Sequence, residues 1–158
     1  MARAKQIPGL EPDDEFRTAA ATVVAMRARE MFEEAHDVLD TSDIERVHDM
    51  RVATRRLRAV LEIFEACFDP AQHREVLRDV KRLTDALGER RDPDVHIDAL
   101  IRYAAVAAKP DQPGVASLIA RFRDEQSAGN LVLASALERM EASDLRGRIT
   151  ALIEGAVA

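Results

Sequence analysis

The chain has 158 residues, 47% of them hydrophobic and 33% charged, with one cysteine and a formal net charge of -6. That length and apolar content suffice for one buried core without disulfide or metal staples, and the solitary Cys67 excludes an internal disulfide. Taken whole, the acidic charge opposes a polyanion ligand. Its distribution does not: residues 46–91 hold 11 Lys and Arg against 8 Asp and Glu, a local surplus of three.

Residues 1–12 read as a flexible leader, and 13–158 as a single helical domain. From about Asp13 to Asp40, Phe16, Ala20, Val23, Val24, Met31 and Phe32 recur at three- and four-residue spacing, which predicts an amphipathic helix with those residues buried. A second helix is expected from Ser42, capped by its hydroxyl with Glu45 completing a capping box, to about Phe68. Cys67 lies in its apolar end and reads as a buried thiol. Asp69 followed by Pro70 opens a third helix, and Gly88 is expected to stop it. Asp92 and Pro93 repeat the cap-and-proline device and predict a fourth helix through Ile97, Leu100, Ile101 and Tyr103, ending before Lys109. Residues 109–114 read as a linker. A fifth helix from about Val115 to Met140 and a sixth from about Asp144 to Gly155, capped by Ser143, complete the chain. No segment reads as a strand. Short connections between amphipathic helices imply antiparallel neighbours, so the expected fold is all-α, an antiparallel bundle of about six helices. No apolar run reaches the roughly 18 residues of a membrane span, and the first ten residues lack a signal-peptide core, so the expected location is cytoplasmic.

The chemistry concentrates on the second and third helices. His48, Arg51, Arg55 and Arg58 fall within an arc of roughly 80 degrees, opposite Met50, Leu57, Leu61, Phe64 and Phe68. Like charges at these spacings cost an isolated helix a few tenths of a kcal/mol per pair, so helix stability does not explain the stripe. Glu62 can pair with Arg58 and Glu45 can approach His48, which leaves Arg51 and Arg55 without an intrahelical partner. Arg74, Arg78 and Lys81 form a second arc of roughly 60 degrees on the third helix, so two basic stripes could border one groove. The first stripe extends about 15 Å, a length suited to a linear polyanion. Guanidinium supplies paired, charge-assisted hydrogen bonds to phosphate oxygens and stays protonated throughout the physiological range. Arg90 and Arg91, near the expected fourth-helix start, are further anion candidates.

The run Val47-His48-Asp49-Met50-Arg51-Val52-Ala53-Thr54-Arg55-Arg56-Leu57-Arg58 resembles the signature of the CHAD family, the conserved histidine alpha-helical domain. A second block, Lys81 to Leu83, Leu87-Gly88 and Arg91-Asp92-Pro93-Asp94-Val95, is similar to the family's following segment. Members are helical domains that bind inorganic polyphosphate in a basic groove, and some associate with polyphosphate granules. The resemblance therefore implies polyphosphate as ligand and His48, Arg51, Arg55, Arg58, Lys81 and Arg91 as its contacts. Arg56, Arg74, Arg78 and Arg82 are added candidates, and Arg90 ranks below Arg91. Typical members carry two similar helical halves, whereas this chain is long enough for about one, so a homodimer that completes the surface is expected.

Other classes stand beside this one. The basic stripe could be a solvated face with salt bridges to acidic surfaces. Nucleic acid is a rival polyanion, but 4% aromatics and no Trp leave few stacking platforms. A helical adaptor using an exposed apolar face is a third reading. Asp92, Asp94 and His96 could suggest a metal site, but Asp92 reads as a helix cap, so no metal or other cofactor is expected. Neither a phosphate-binding glycine loop nor a nucleophile elbow occurs, so no enzyme activity is expected. His36 and His73 read as structural.

Overall fold

In a computed structural model describing residues 4–158, the chain forms five α-helices and one short 3-10 turn, with no strand among the described residues. The helices are α1 (Phe16–Glu33), α2 (Ile44–Ile63), α3 (Pro70–Ala104), α4 (Gln112–Ala142) and α5 (Leu145–Val157), with the 3-10 turn Glu65–Cys67 following α2. Neighbours run antiparallel. Phe16 at the start of α1 touches Phe64 just past α2, with ring centroids 5.5 Å apart. Glu45 and Glu62 of α2 meet Arg91 and Lys81 of α3 in reversed order. Arg90 and Asp94 of α3 likewise meet Asn130 and Gln126 of α4 in reversed order.

The core takes Val24 and Met31 from α1, Met50, Leu57 and Leu61 from α2, Val80 and Leu87 from α3, Leu133 from α4, and Ile149 and Leu152 from α5. Cys67 and Phe68 are buried beside them. Phe16, expected in the core, is 65% exposed and leans on Phe64 at the edge of the bundle. The N-terminal strip contacts α1: the Lys5 amide donates to Glu30 Oε1 at 2.6 Å, and Lys5 Nζ pairs with Glu33. Residues 1–3 of the expected leader lie outside the described residues.

Several expected boundaries move. α1 ends at Glu33, short of Asp40, and α2 at Ile63, where the 3-10 turn takes over. Asp43 rather than Ser42 caps α2, accepting from the Glu45 amide at 3.2 Å. Asp144 rather than Ser143 caps α5, accepting from the Gly147 amide at 3.1 Å. α4 begins at Gln112 and draws Pro113 and Gly114 of the expected linker into its first turn, where a proline loses no intrahelical bond. The Asp69 and Pro70 start is observed as expected, with Asp69 Oδ1 accepting from the Ala71 and Gln72 amides.

The largest correction joins the expected third and fourth helices into α3, 35 residues long, which reduces six helices to five. Gly88 does not stop the helix, Asp92 is an exposed mid-helix residue, and Pro93 is buried inside it. A proline in a helix interior costs about 3 kcal/mol because its ring crowds the carbonyl four residues back and its missing N–H leaves that carbonyl unbonded. Here that carbonyl belongs to Glu89, and α4 crosses it at backbone distance. A β-carbon built on Gly129 would stand 3.0 Å from both the Glu89 oxygen and the Arg90 Cα. Helix continuity through Pro93 is therefore held by packing against α4, which local propensity does not register.

The two glycines should respond oppositely to alanine. Nothing lies within 4 Å of a β-carbon at Gly88, so Gly88→Ala is expected to stabilise by up to ~1 kcal/mol through helix propensity. Gly129→Ala must separate two helix backbones and is expected to lose ~1–2 kcal/mol net, read as opposite shifts of the urea midpoint. A stable Gly129→Ala variant would show that the α3–α4 approach is looser than described.

Candidate functional site

On α2, the residues Val47, Met50, Ala53, Leu57 and Leu61 turn inward and so set the basic stripe on the opposite side. His48, Arg51 and Arg58 are half-buried and Arg55 is exposed. The half-burial of Arg51 has a consequence: its Nε is shielded from solvent and has no hydrogen-bond partner. Arg55 has no ion pair among the described residues. Arg56 lies one position off the stripe, half-buried and partnered.

Glu62 joins the two helices. Its Oε1 accepts from Arg58 Nε at 3.1 Å and stands 3.0 Å from Lys81 Nζ of α3. Hydrogen bonds from Lys81 first, then Arg58, hold the Glu62 carboxyl below its ordinary 4.5. Because the folded value is the lower one, this cluster contributes stability above the ordinary carboxyl range and loses it as pH falls through the depressed value. All three side chains are more than a third exposed, so screening limits the contribution to at most ~0.5 kcal/mol. The larger effect is positional, since one carboxylate holds cations of α2 and α3 side by side.

Further along the same interface, Arg91 Nη2 stands 3.7 Å from Glu45 Oε1, while Arg91 Nη1, buried and without a hydrogen bond, stands 3.7 Å from Asp94 Oδ2. Four shielded guanidinium donors without a hydrogen-bond partner thus lie on these two helices, on Arg46 and Arg51 of α2 and on Arg90 and Arg91 of α3; of these, Arg51 and Arg91 belong to the expected binding row. Glu45, His48 and Asp49 also place ligand atoms within 4.8 Å of one another. Of the residues Asp92, Asp94 and His96, Asp94 turns to Arg90 and His96 stacks on Phe122 at 4.7 Å.

The predicted residues of α3 divide between two sides. Lys81 faces α2 through Glu62. Arg78 and Arg82 approach Asp79 Oδ1 at 3.8 and 3.5 Å, and Asp79 is bound to α5 by Arg148. Arg74 is exposed, with no ion pair among the described residues. His73 is buried, its Nε2 donating to the Leu61 carbonyl at 2.8 Å, in keeping with a structural role. His36 instead lies at the surface, beside Asp37.

Arg90 is fully buried and has no access to a ligand. Its Nη1 donates to Asp94 Oδ1 at 2.6 Å and its Nε to Asn130 Oδ1 at 3.0 Å, while Gln126 Nε2 donates to the same Asp94 oxygen at 2.5 Å. The four-residue spacing of Arg90 and Asp94 was visible as a helix pair, but only if the helix continues through Pro93. Arg148, which ties Asp79 to α5, has no basic neighbours at helical spacing, so the sequence does not single it out.

Among the described residues no helix is long and apolar enough to cross a membrane. The family model described as the CHAD domain matches residues 22–158. No curated protein matches the chain.

Proposed function

The chain belongs to the CHAD family, and from that premise we propose that it binds inorganic polyphosphate, without catalysis, along α2 and the adjoining side of α3. The observation that carries this reading is the shielded, unpartnered Nε of Arg51 beside the unpaired Arg55. A buried donor without an acceptor costs roughly 1–3 kcal/mol, more when charged, which a phosphate oxygen would relieve. His48, Arg58, Lys81 and Arg91 extend the surface, and Arg56 and Arg74 flank it. Arg78 and Arg82, turned toward α5, contribute at its margin.

Polyphosphate is favoured over nucleic acid because a chain with 4% aromatic residues and no Trp is poorly equipped to stack bases. An adaptor role would use exposed apolar residues such as Val106 and Leu131, 80% and 75% accessible. Calorimetric titration with long-chain polyphosphate, single-stranded RNA and orthophosphate at near-physiological salt separates these readings. Polyphosphate is expected to bind most tightly and to weaken steeply as salt rises, because each neutralised phosphate releases counterions. Equal binding of RNA favours a general polyanion module, and no binding favours the adaptor.

The same reading places the protein in the cytoplasm, where it could associate with polyphosphate granules. It also includes a two-fold homodimer in which a second copy supplies the other basic face. Light scattering after size exclusion at micromolar concentration is expected to give twice the 17.6 kDa chain mass. A monomer would remove the dimer while leaving the polyphosphate surface on one chain.

A further inference from the structure

Away from the α2 surface, α3, α4 and α5 enclose a half-open cavity of about 460 Å³. Four arginines line it, Arg78 and Arg82 from α3, Arg139 from α4 and Arg148 from α5, against the single carboxylate of Asp79. The lining thus carries a formal surplus of three positive charges in a chain whose net charge is -6. Such a concentration of like charge in a concave, partly apolar site raises the local potential for an anion.

The hydrogen bonds divide these arginines into one that builds the site and three with donors to spare. Arg148 is committed: Nη2 binds Asp79 Oδ2 at 2.5 Å and Ser143 Oγ at 3.0 Å, and Nε binds the Ser143 carbonyl at 2.9 Å. Asp79 is thereby fixed, and it can satisfy only a fraction of the donors that Arg78 and Arg82 present at 3.8 and 3.5 Å. Arg139 has no ion pair among the described residues. The amide of Gly147 at the start of α5 is taken by Asp144, so the available donors are guanidinium groups rather than the helix end.

We propose that this cavity binds a small organic phosphate, with the phosphate held by Arg78, Arg82 and Arg139 and its organic body against the apolar wall. That wall, which includes Leu83, Met140 and Leu145, selects the ligand class. Bare polyphosphate gains nothing from apolar surface, whereas an organic body gains about 25 cal/mol for each Å² removed from water. The volume also lies within the usual range of small-ligand sites. This site lies between α3, α4 and α5 rather than along α2, shares only Arg78 and Arg82 with the margin of the polyphosphate surface, and takes a different ligand.

The test is calorimetry on the full chain with adenosine monophosphate as probe, comparing the unaltered protein, Arg139→Glu and the double variant Arg51→Glu, Arg55→Glu, each checked for folding by circular dichroism. Arg139 is exposed and unpaired, so its reversal should not disturb the fold. The expected result is saturable one-to-one binding, weakened at least ~tenfold by Arg139→Glu and changed less than ~twofold in the double variant, since one charged hydrogen bond commonly accounts for a tenfold effect. No saturable binding at millimolar probe overturns the proposal. So does a loss in the double variant matching that in Arg139→Glu, which would make the cavity an end of the polyphosphate surface.

Discussion

Reversing Arg51 and Arg55 to glutamate together is expected to weaken long-chain polyphosphate binding by at least ~100-fold at near-physiological salt. A charge-assisted hydrogen bond contributes roughly 1.5–3 kcal/mol, so removing two gives that factor before the repulsion from two new carboxylates is counted. The two residues occupy the middle of the row from His48 to Arg58, so no alternative path along α2 avoids them. The fold should tolerate the change because neither has an ion pair to lose among the described residues, a point checked by thermal melting. The slope of log affinity against log salt should also become shallower, since fewer counterions are released on binding. Retained affinity in a folded double variant would remove α2 from the binding surface.

Arg90→Ala is expected to cost ~3–5 kcal/mol and lower the melting temperature by roughly 6–20 °C. Arg90 and Asp94 are both fully buried at the side chain, 2.6 Å apart. Removing the guanidinium leaves Asp94 as a buried carboxylate with Gln126 as its one hydrogen-bond donor and Arg91 Nη1 at 3.7 Å as its remaining cation, and it leaves Asn130 Oδ1 without its partner. The pair itself need not be better than apolar packing, because desolvation offsets much of its attraction. Accordingly, Arg90→Met combined with Asp94→Leu should recover most of the loss. If Arg90→Ala melts within ~2 °C of the unaltered protein, Asp94 has access to water and the α3–α4 interface is not closed as described.

Much of this organisation is local and therefore legible in the order of residues. The spacing of Met50, Leu57 and Leu61 is a property of one helix, and it sets the stripe of His48, Arg51, Arg55 and Arg58 opposite the core whatever packs beside it. Asp69 with Pro70 starts α3 for an equally local reason: a carboxylate accepts from first-turn amides that lack helical partners, and a proline there has none to lose. The all-α class and the CHAD motif were likewise written along single segments.

What tertiary structure decided lies between segments. Asp92 and Pro93 look like a second helix start, and in isolation the proline penalty of about 3 kcal/mol would make them one. The crossing of α4 at Gly129, together with the network that joins buried Arg90 and Asp94 to half-buried Gln126 and Asn130, tips that balance toward a single helix. Arg90 and Arg91 are adjacent in sequence, yet one is sealed inside and the other faces α2, because successive helical positions differ by about 100 degrees. By the same rotation Lys81 reaches Glu62 while Arg82 turns toward Asp79 and α5. Spacing along α3 determines those directions, but only the placement of α2, α4 and α5 around it decides which side chain meets α2, which becomes a buried staple and which a cavity wall.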